Sequence, residues 1–165
     1  MKHNHHIVKD GQFLHVLDGE KAEVFKGGCA SIHEYGFAWV HEGGEATVES
    51  DGHAIVHEGG NAWVYEGGYA YVHEGGNAWV YEGGKTWVYE GGYAYVHEGG
   101  KTWVYEGGNA YVYADGHAIV HEDGHAIVHE GGHAIVYEGG HAIVYEGGEA
   151  TGSGEIVWKE GHDEV

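Results

Sequence analysis

Apolar and polar positions along this chain recur with a period of eight. From Cys29 to Gly148, numbering each octad 1 to 8 from Cys29, position 2 is Ala or Thr and position 4 is Val or Ile; position 6 is nearly always Glu, position 7 mostly Gly, and position 8 always Gly. Positions 1, 3 and 5 vary, mostly among His, Asn, Tyr, Lys, Trp and Ile. The pattern is cleanest from Asn61 to Gly108, which reads NAWVYEGG, YAYVHEGG, NAWVYEGG, KTWVYEGG, YAYVHEGG, KTWVYEGG. Alternation with period two, closed by a glycine pair, predicts a six-residue strand and a tight bend. Glycine at this density excludes helix, since each interior Gly costs about 1 kcal/mol relative to Ala.

Two all-β architectures fit such a unit. In an antiparallel meander with two-residue loops, alternate octads would sit in inverted environments and would differ in chemistry. They do not differ: Trp63, Trp79, Trp87 and Trp103 occupy octads of both parities, as do Ile127 and Ile135. A parallel β-solenoid gives every octad the same surroundings, with positions 2 and 4 inward and the odd positions outward. One Ala and one Val per strand fill only a thin core, which favours a two-sheet β-roll of two octads per coil. The recurrence of YAYVHEGG at Tyr69 and Tyr93, 24 residues apart, keeps a three-sided helix as the alternative.

The ends depart from the repeat. Residues 1–27 carry it imperfectly, with Asp10-Gly11 and Asp18-Gly19 as turn signals and an apparent one-residue insertion near Glu20, and are expected to form an N-terminal cap. Residues 28–148 form the solenoid, and residues 149–165 a linker and C-terminal cap containing Ile156, Val157 and Trp158. The Gly, Ala and Val of each unit, and the Ala of Gly108-Asn-Ala-Tyr-Val-Tyr-Ala114, resemble an octapeptide-repeat solenoid family of phage and bacterial proteins, with a unit close to G-x-A-x-V-x-A-Y. The resemblance covers about two thirds of the chain. It implies a β-solenoid in a phage-like setting and no particular functional residues; Glu at position 6 and Gly at position 7 depart from the family unit.

Composition narrows the function. The formal charge is −20, every one of the seven cationic side chains is Lys, and hydrophobic content is 42%, too high for a disordered acidic tail. A direct nucleic-acid binder needs a basic footprint, so the expected partner is instead a basic, nucleic-acid-binding protein. The single cysteine, Cys29, rules out an internal disulfide and suits the cytoplasm; no stretch has the apolar length of a membrane span.

The candidate partner-binding residues are the position-6 acids Glu58, Glu66, Glu74, Glu82, Glu90, Glu98, Glu106, Glu122, Glu130, Glu138 and Glu146. Strict alternation would bury them, which ionised carboxylates do not tolerate unpaired, so either the turn swings them outward or cations lie among them. An aromatic surface of Trp63, Tyr71, Trp79, Trp87, Tyr95 and Trp103 is expected as a dimer interface or sugar-stacking strip. No resident cofactor or metal is expected. Ca²⁺ at the acidic turns, and adventitious transition metals on His117, His121, His125 and His129 or on His3, His5 and His6, are the alternatives. A lattice of identical His and Glu neighbours offers no unique catalytic pair, so no enzymatic activity is expected. The expected function is a non-enzymatic acidic scaffold that imitates nucleic acid toward a basic protein, such as a phage-encoded inhibitor. The alternative is a structural, cell-surface or virion module binding sugars, Ca²⁺ or its own copies.

The histidines also make solubility depend on pH. Protonating all 17 would move the charge from −20 to −3, with unperturbed imidazoles titrating near pH 6.5. Solubility is therefore predicted to fall below about pH 6 as interchain repulsion shrinks. Light scattering from pH ~8 to ~5 checks this, and unchanged monodispersity would contradict it.

Overall fold

Each octad folds as a strand over positions 1 to 4 and a turn over positions 5 to 8, throughout the residues 4–160 that the computed structural model describes. The odd strands are β1 (His5–Val8), β3 (Lys21–Val24), β5 (Phe37–Val40), β7 (His53–Val56), β9 (Tyr69–Val72), β11 (Lys85–Val88), β13 (Lys101–Val104), β15 (His117–Val120), β17 (His133–Val136) and β19 (Glu149–Gly152). The even strands are β2 (Phe13–Val16), β4 (Cys29–Ile32), β6 (Glu45–Val48), β8 (Asn61–Val64), β10 (Asn77–Val80), β12 (Tyr93–Val96), β14 (Asn109–Val112), β16 (His125–Val128), β18 (His141–Val144) and β20 (Glu155–Trp158). Odd strands form one 10-stranded sheet and even strands another, every pairing parallel. Two octads make a coil, so the fold is a two-sheet parallel β-roll and the three-sided alternative is excluded. In the repeats each residue pairs with the one sixteen later, as Trp63 does with Trp79.

Two expectations about local structure are corrected. Strands are four residues long, not six, because the position-8 N–H turns back to the position-5 carbonyl, as from Gly68 to Tyr65 at 2.8 Å. The apparent insertion near Glu20 does not exist, since Lys21 pairs with His5 in the ordinary register. Gly11 and Gly19 occupy position 7, which makes Gln12 and Glu20 the position-8 residues of the first coil.

Positions 2 and 4 face inward from both sheets and are sealed from solvent, with Ala62, Val64, Ala70 and Val72 at 0% exposure. Ala leaves room for the Val of the facing sheet, and each fully buried Val contributes roughly 1.5–3 kcal/mol. Thr86 and Thr102 stand in for Ala on neighbouring odd strands and are also buried. The Thr102 hydroxyl donates to the Thr86 carbonyl at 3.4 Å. The Thr86 hydroxyl has no partner.

Glycine at position 8 follows from the approach of coil to coil. A Cβ on Gly60 or Gly108 would lie 2.7 Å from the carbonyl oxygen of Val40 or Val88 in the coil beneath, closer than any side chain permits. Among the described residues no coil lies beneath the first, and there Gln12 and Glu20 occupy the position. Their side chains take over the missing coil's hydrogen bonding. In later coils the position-5 N–H donates to the Val carbonyl below, as from His57 to Val40 at 2.8 Å. In the first, Lys9 N–H donates to Gln12 Oε1 at 2.9 Å and Leu17 N–H to Glu20 Oε2 at 3.1 Å. The Leu17 N–H is the main reason the Glu20 carboxyl is held below its ordinary pKa; His6 and Asn4 add to the effect and burial opposes it.

At the other end, Gly152 takes the position of Val136 and Trp158 that of Val144. Ala150 and Ile156 pack against the end of the core, whereas the Trp158 ring remains 60% exposed. β20 returns to register although the unit before it, Glu149 to Gly154, is two residues short of an octad.

Urea unfolding should separate two kinds of buried position. Gly108→Ala, forced against the Val88 carbonyl, is expected to cost more than about 2 kcal/mol. Thr86→Ala, which removes an unsatisfied hydroxyl and restores the consensus residue, is expected to gain about 1 kcal/mol.

Candidate functional site

The turns place positions 5 and 6 along the two narrow edges of the roll. At position 7 the backbone takes a left-handed conformation, with φ of 68° at Gly59 and 69° at Gly75, which suits Gly there and turns position 6 outward. The absence of a position-7 side chain also leaves space for the glutamate below, since Glu42 Cγ lies 3.0 Å from where a Gly59 Cβ would be. The methylenes of Glu42, Glu58, Glu74, Glu90 and Glu122 on one edge, and of Glu66, Glu82 and Glu130 on the other, thus lean over the next coil's turn. All eleven predicted partner-binding glutamates are exposed. They are not brought together on one surface.

The edge that follows the odd strands carries Glu42, Glu58, Glu74, Glu90, Glu106, Glu122 and Glu138, one per coil without interruption. The edge that follows the even strands carries Glu34, Glu66, Glu82, Glu98, Glu130 and Glu146, and is broken by Ser50 and Ala114. The predicted set of eleven therefore divides six to five between opposite edges, and it omits Glu42, which begins the unbroken row. The signal for this division was in the sequence. Both breaks fall in octads of the same parity, those of β6 and β14, so comparing residues sixteen apart, not eight, separates the rows.

Beside each acidic row runs a ladder of position-5 rings. On the odd edge Phe25, His41, His57, His73, Tyr89, Tyr105, His121 and Tyr137 stack in turn, with centroids 4.6–5.8 Å apart. On the even edge Tyr65, Tyr81, His97, Tyr113, His129 and Tyr145 do the same at 4.9–5.4 Å. Burial in the stack raises the phenol pKa of Tyr81, Tyr89 and Tyr113, which keeps them uncharged. It lowers the imidazoles of His57 and His97, with His41 and His73 adding to the effect at His57.

Coil spacing of about 4.8 Å gives neighbouring carboxylates a repulsion of roughly 0.9 kcal/mol at water's dielectric constant, more than thermal energy, before salt screening. Among the described residues, the ion pairs of histidine with acid cluster toward the two ends: His5 and His41 with Glu23, His6 with Glu20, His33 with Glu49, His133 with Glu149 and His141 with Glu155. Among the described residues no cationic side chain pairs with the middle of the odd edge, the run of carboxylates from Glu58 to Glu122. Among the described residues no cluster of three or more His, Cys, Asp or Glu could hold one metal ion. His117 stacks on His133 and His125 on His141, each at 5.2 Å and 17°; parallel lone pairs that far apart do not converge on one cation. His3 lies outside the described residues.

The predicted aromatic surface also divides. Trp63, Trp79 and Tyr95, continued by Tyr111, stack along the even face at 5.2–5.4 Å. Tyr71, Trp87 and Trp103 stack along the odd face at 5.0 Å. Ring planes lie within 16° of parallel, so the rings cover one another's faces and present edges to solvent. Much of their area is spent on this lengthwise stacking, worth about 0.5–1.5 kcal/mol per pair beyond burial.

No family model matches the chain, and neither does any curated protein. Among solved structures the chain is similar to the TibC-catalysed hyper-glycosylated TibA55-350 fragment, at 22% identity over 98% of this chain and 96% of that one, with a TM-score of 0.34. No helix among the described residues is long and apolar enough to cross a membrane.

The lowered histidines fix the sign of a pH response. For His57, His97 and His117 the folded value lies below the unfolded one, so between the two the unfolded chain binds more protons. Their contribution is complete above the unfolded value of about 6.5 and is lost as the pH falls through it toward the folded values. Urea midpoints should decline over that interval. His57→Tyr, which keeps the ladder but removes a titrating group, should flatten the decline; an unchanged slope would show that the ladder histidines do not set it.

Proposed function

We propose that this protein is a non-enzymatic acidic scaffold that binds a basic protein surface along its odd edge, competing there with nucleic acid. The unbroken row from Glu42 to Glu138 carries the reading. Its spacing of about 4.8 Å compares with one phosphate per 3.4 Å along each strand of duplex DNA, so a single edge is a somewhat more dilute line of charge than one DNA strand. Like DNA, the row gathers counterions, and a polycation that displaces them gains their release. The mimicry is of linear charge density and not of phosphate-by-phosphate geometry. A partner therefore needs a basic cleft more than a particular residue order.

Glu42, Glu58, Glu74, Glu90 and Glu122 rest their methylenes on the neighbouring coil, which lowers the ordering cost of binding. The stacked rings of the faces turn their π surfaces to one another, so a sugar-stacking role is less well served than an electrostatic one. The lone Cys29 is in keeping with a cytoplasmic setting, and the octapeptide unit with a phage or bacterial source, where such a mimic would act as an inhibitor of a nucleic-acid-binding protein.

Binding of a short polylysine, followed by calorimetry over a range of salt, tests the reading. Replacing Glu74, Glu90, Glu106 and Glu122 together by Gln should lower the slope of log K against log salt by up to about four. The same change at Glu66, Glu82, Glu98 and Glu130 on the broken edge should lower it less. Equal losses from the two edges would overturn the assignment to the odd edge, and no loss from either would overturn the function.

A further inference from the structure

We propose that the odd-strand face carries a binding site for an elongated organic anion, its charged head at Lys101 and its apolar body in a trough along β13 to β19. The starting point is how charge is sorted on the roll. In a chain with 27 acidic residues, the outward positions of the odd strands from β5 to β17 hold no Asp or Glu. They hold Lys85 and Lys101, side by side on paired strands. Two ammonium groups in neighbouring positions of one row repel each other, and an anion between or beside them removes that cost. Lys85 Nζ lies over the Tyr69 ring at 5.2 Å, a cation–π contact, whereas Lys101 is exposed. Lys101 is therefore the freer of the two.

The trough begins at Lys101 because the outward residues change character there. In earlier coils large rings bridge the position-1 and position-3 rows, as Phe37 does to Trp39 at 4.4 Å and Tyr69 to Trp87 at 6.1 Å. From β15 onward the rows hold His117 and His133 against Ile119 and Ile135. The smaller Ile leaves open a mainly apolar groove, floored by the Ala118 and Ala134 segments and closed at its head by Trp103. Its far end carries Glu149, bonded to His133 at 3.2 Å. The groove is positive at one end, apolar along its length and negative at the other, so it favours an amphiphile oriented head toward Lys101. His117 lies next to Lys101 in the same row and faces His133 and Lys101, with Asp115 the acid nearest in charge; protonating it adds positive charge beside the head.

The opposite face supplies its own comparison. An equivalent groove runs along β14 to β20, between His125 and His141 on one side and Ile127 and Ile143 on the other. Its head residue is Asn109. The two grooves differ chiefly in that one charge, so they separate recognition of an anion from simple apolar adsorption.

The test is a fluorescence titration of the full chain with 8-anilinonaphthalene-1-sulfonate at neutral pH, with decanoate and decanol as competitors. Saturable binding at one site, displaced by decanoate far better than by decanol, is expected. Lys101→Asn should weaken it about fivefold or more. Asn109→Lys should create a second equivalent site, which keeps the test decisive even if the first variant fails to fold. Equal displacement by decanol and decanoate would overturn the proposal. So would an unaltered affinity in folded Lys101→Asn together with an unaltered stoichiometry in Asn109→Lys.

Discussion

Parallel, in-register hydrogen bonding between residues sixteen apart is the constraint on which the rest of this structure depends. It places each side chain directly above its counterpart, so no residue chooses its neighbours independently of the repeat. Where the counterpart is apolar, the result is a continuous core of Val and Ala. Where it is aromatic, a ladder forms. Where it is glutamate, repulsion is inescapable and must be relieved at the surface. The turn achieves this by directing position 6 outward, and glycine at position 7 lets the glutamate methylenes rest on the next coil while the carboxylates spread into water.

The same stacking explains why glycine is essential at position 8 in later coils and dispensable in the first. Coils approach so closely that only a bare Cα fits over the valine carbonyl beneath. At the first coil the steric demand vanishes, and Gln12 and Glu20 provide side-chain oxygens where a carbonyl would have been. A further coil docked there would strike their Cβ atoms, so this end is protected against edge-to-edge pairing. At the far end the last core layer is met by Ala150 and Ile156.

Much of this architecture was legible in the octad itself. Alternation within the unit fixed which residues face inward, and the indifference of Trp63 and Trp87 to parity pointed to a solenoid over a meander. His and Tyr at position 5 continue the alternation and so suggest a six-residue strand, although the hydrogen bond from position 8 has already closed the turn. The first coil is harder to read because its only turn glycines stand at position 7, with Gln12 and Glu20 at position 8. The candidate surfaces were identified by residue type but not by location: a period of eight reveals composition, whereas assignment to an edge or face needs the period of sixteen. Lys101 and Asn109 look like equivalent variants in consecutive octads, and only the fold puts them on opposite faces.

Two octads per coil also limits how such a chain can change length over time. Gain or loss of sixteen residues leaves every downstream row intact and merely lengthens or shortens the roll. Loss of eight transfers all later strands to the other sheet. The unbroken acidic row would then continue into the broken one, and Lys101 would change faces if the deletion lay upstream of it. Duplication in pairs is therefore neutral to the surface pattern, whereas a single-octad slip rewrites it at one stroke while preserving the core. The fold is tolerant of copy number and strict about its parity.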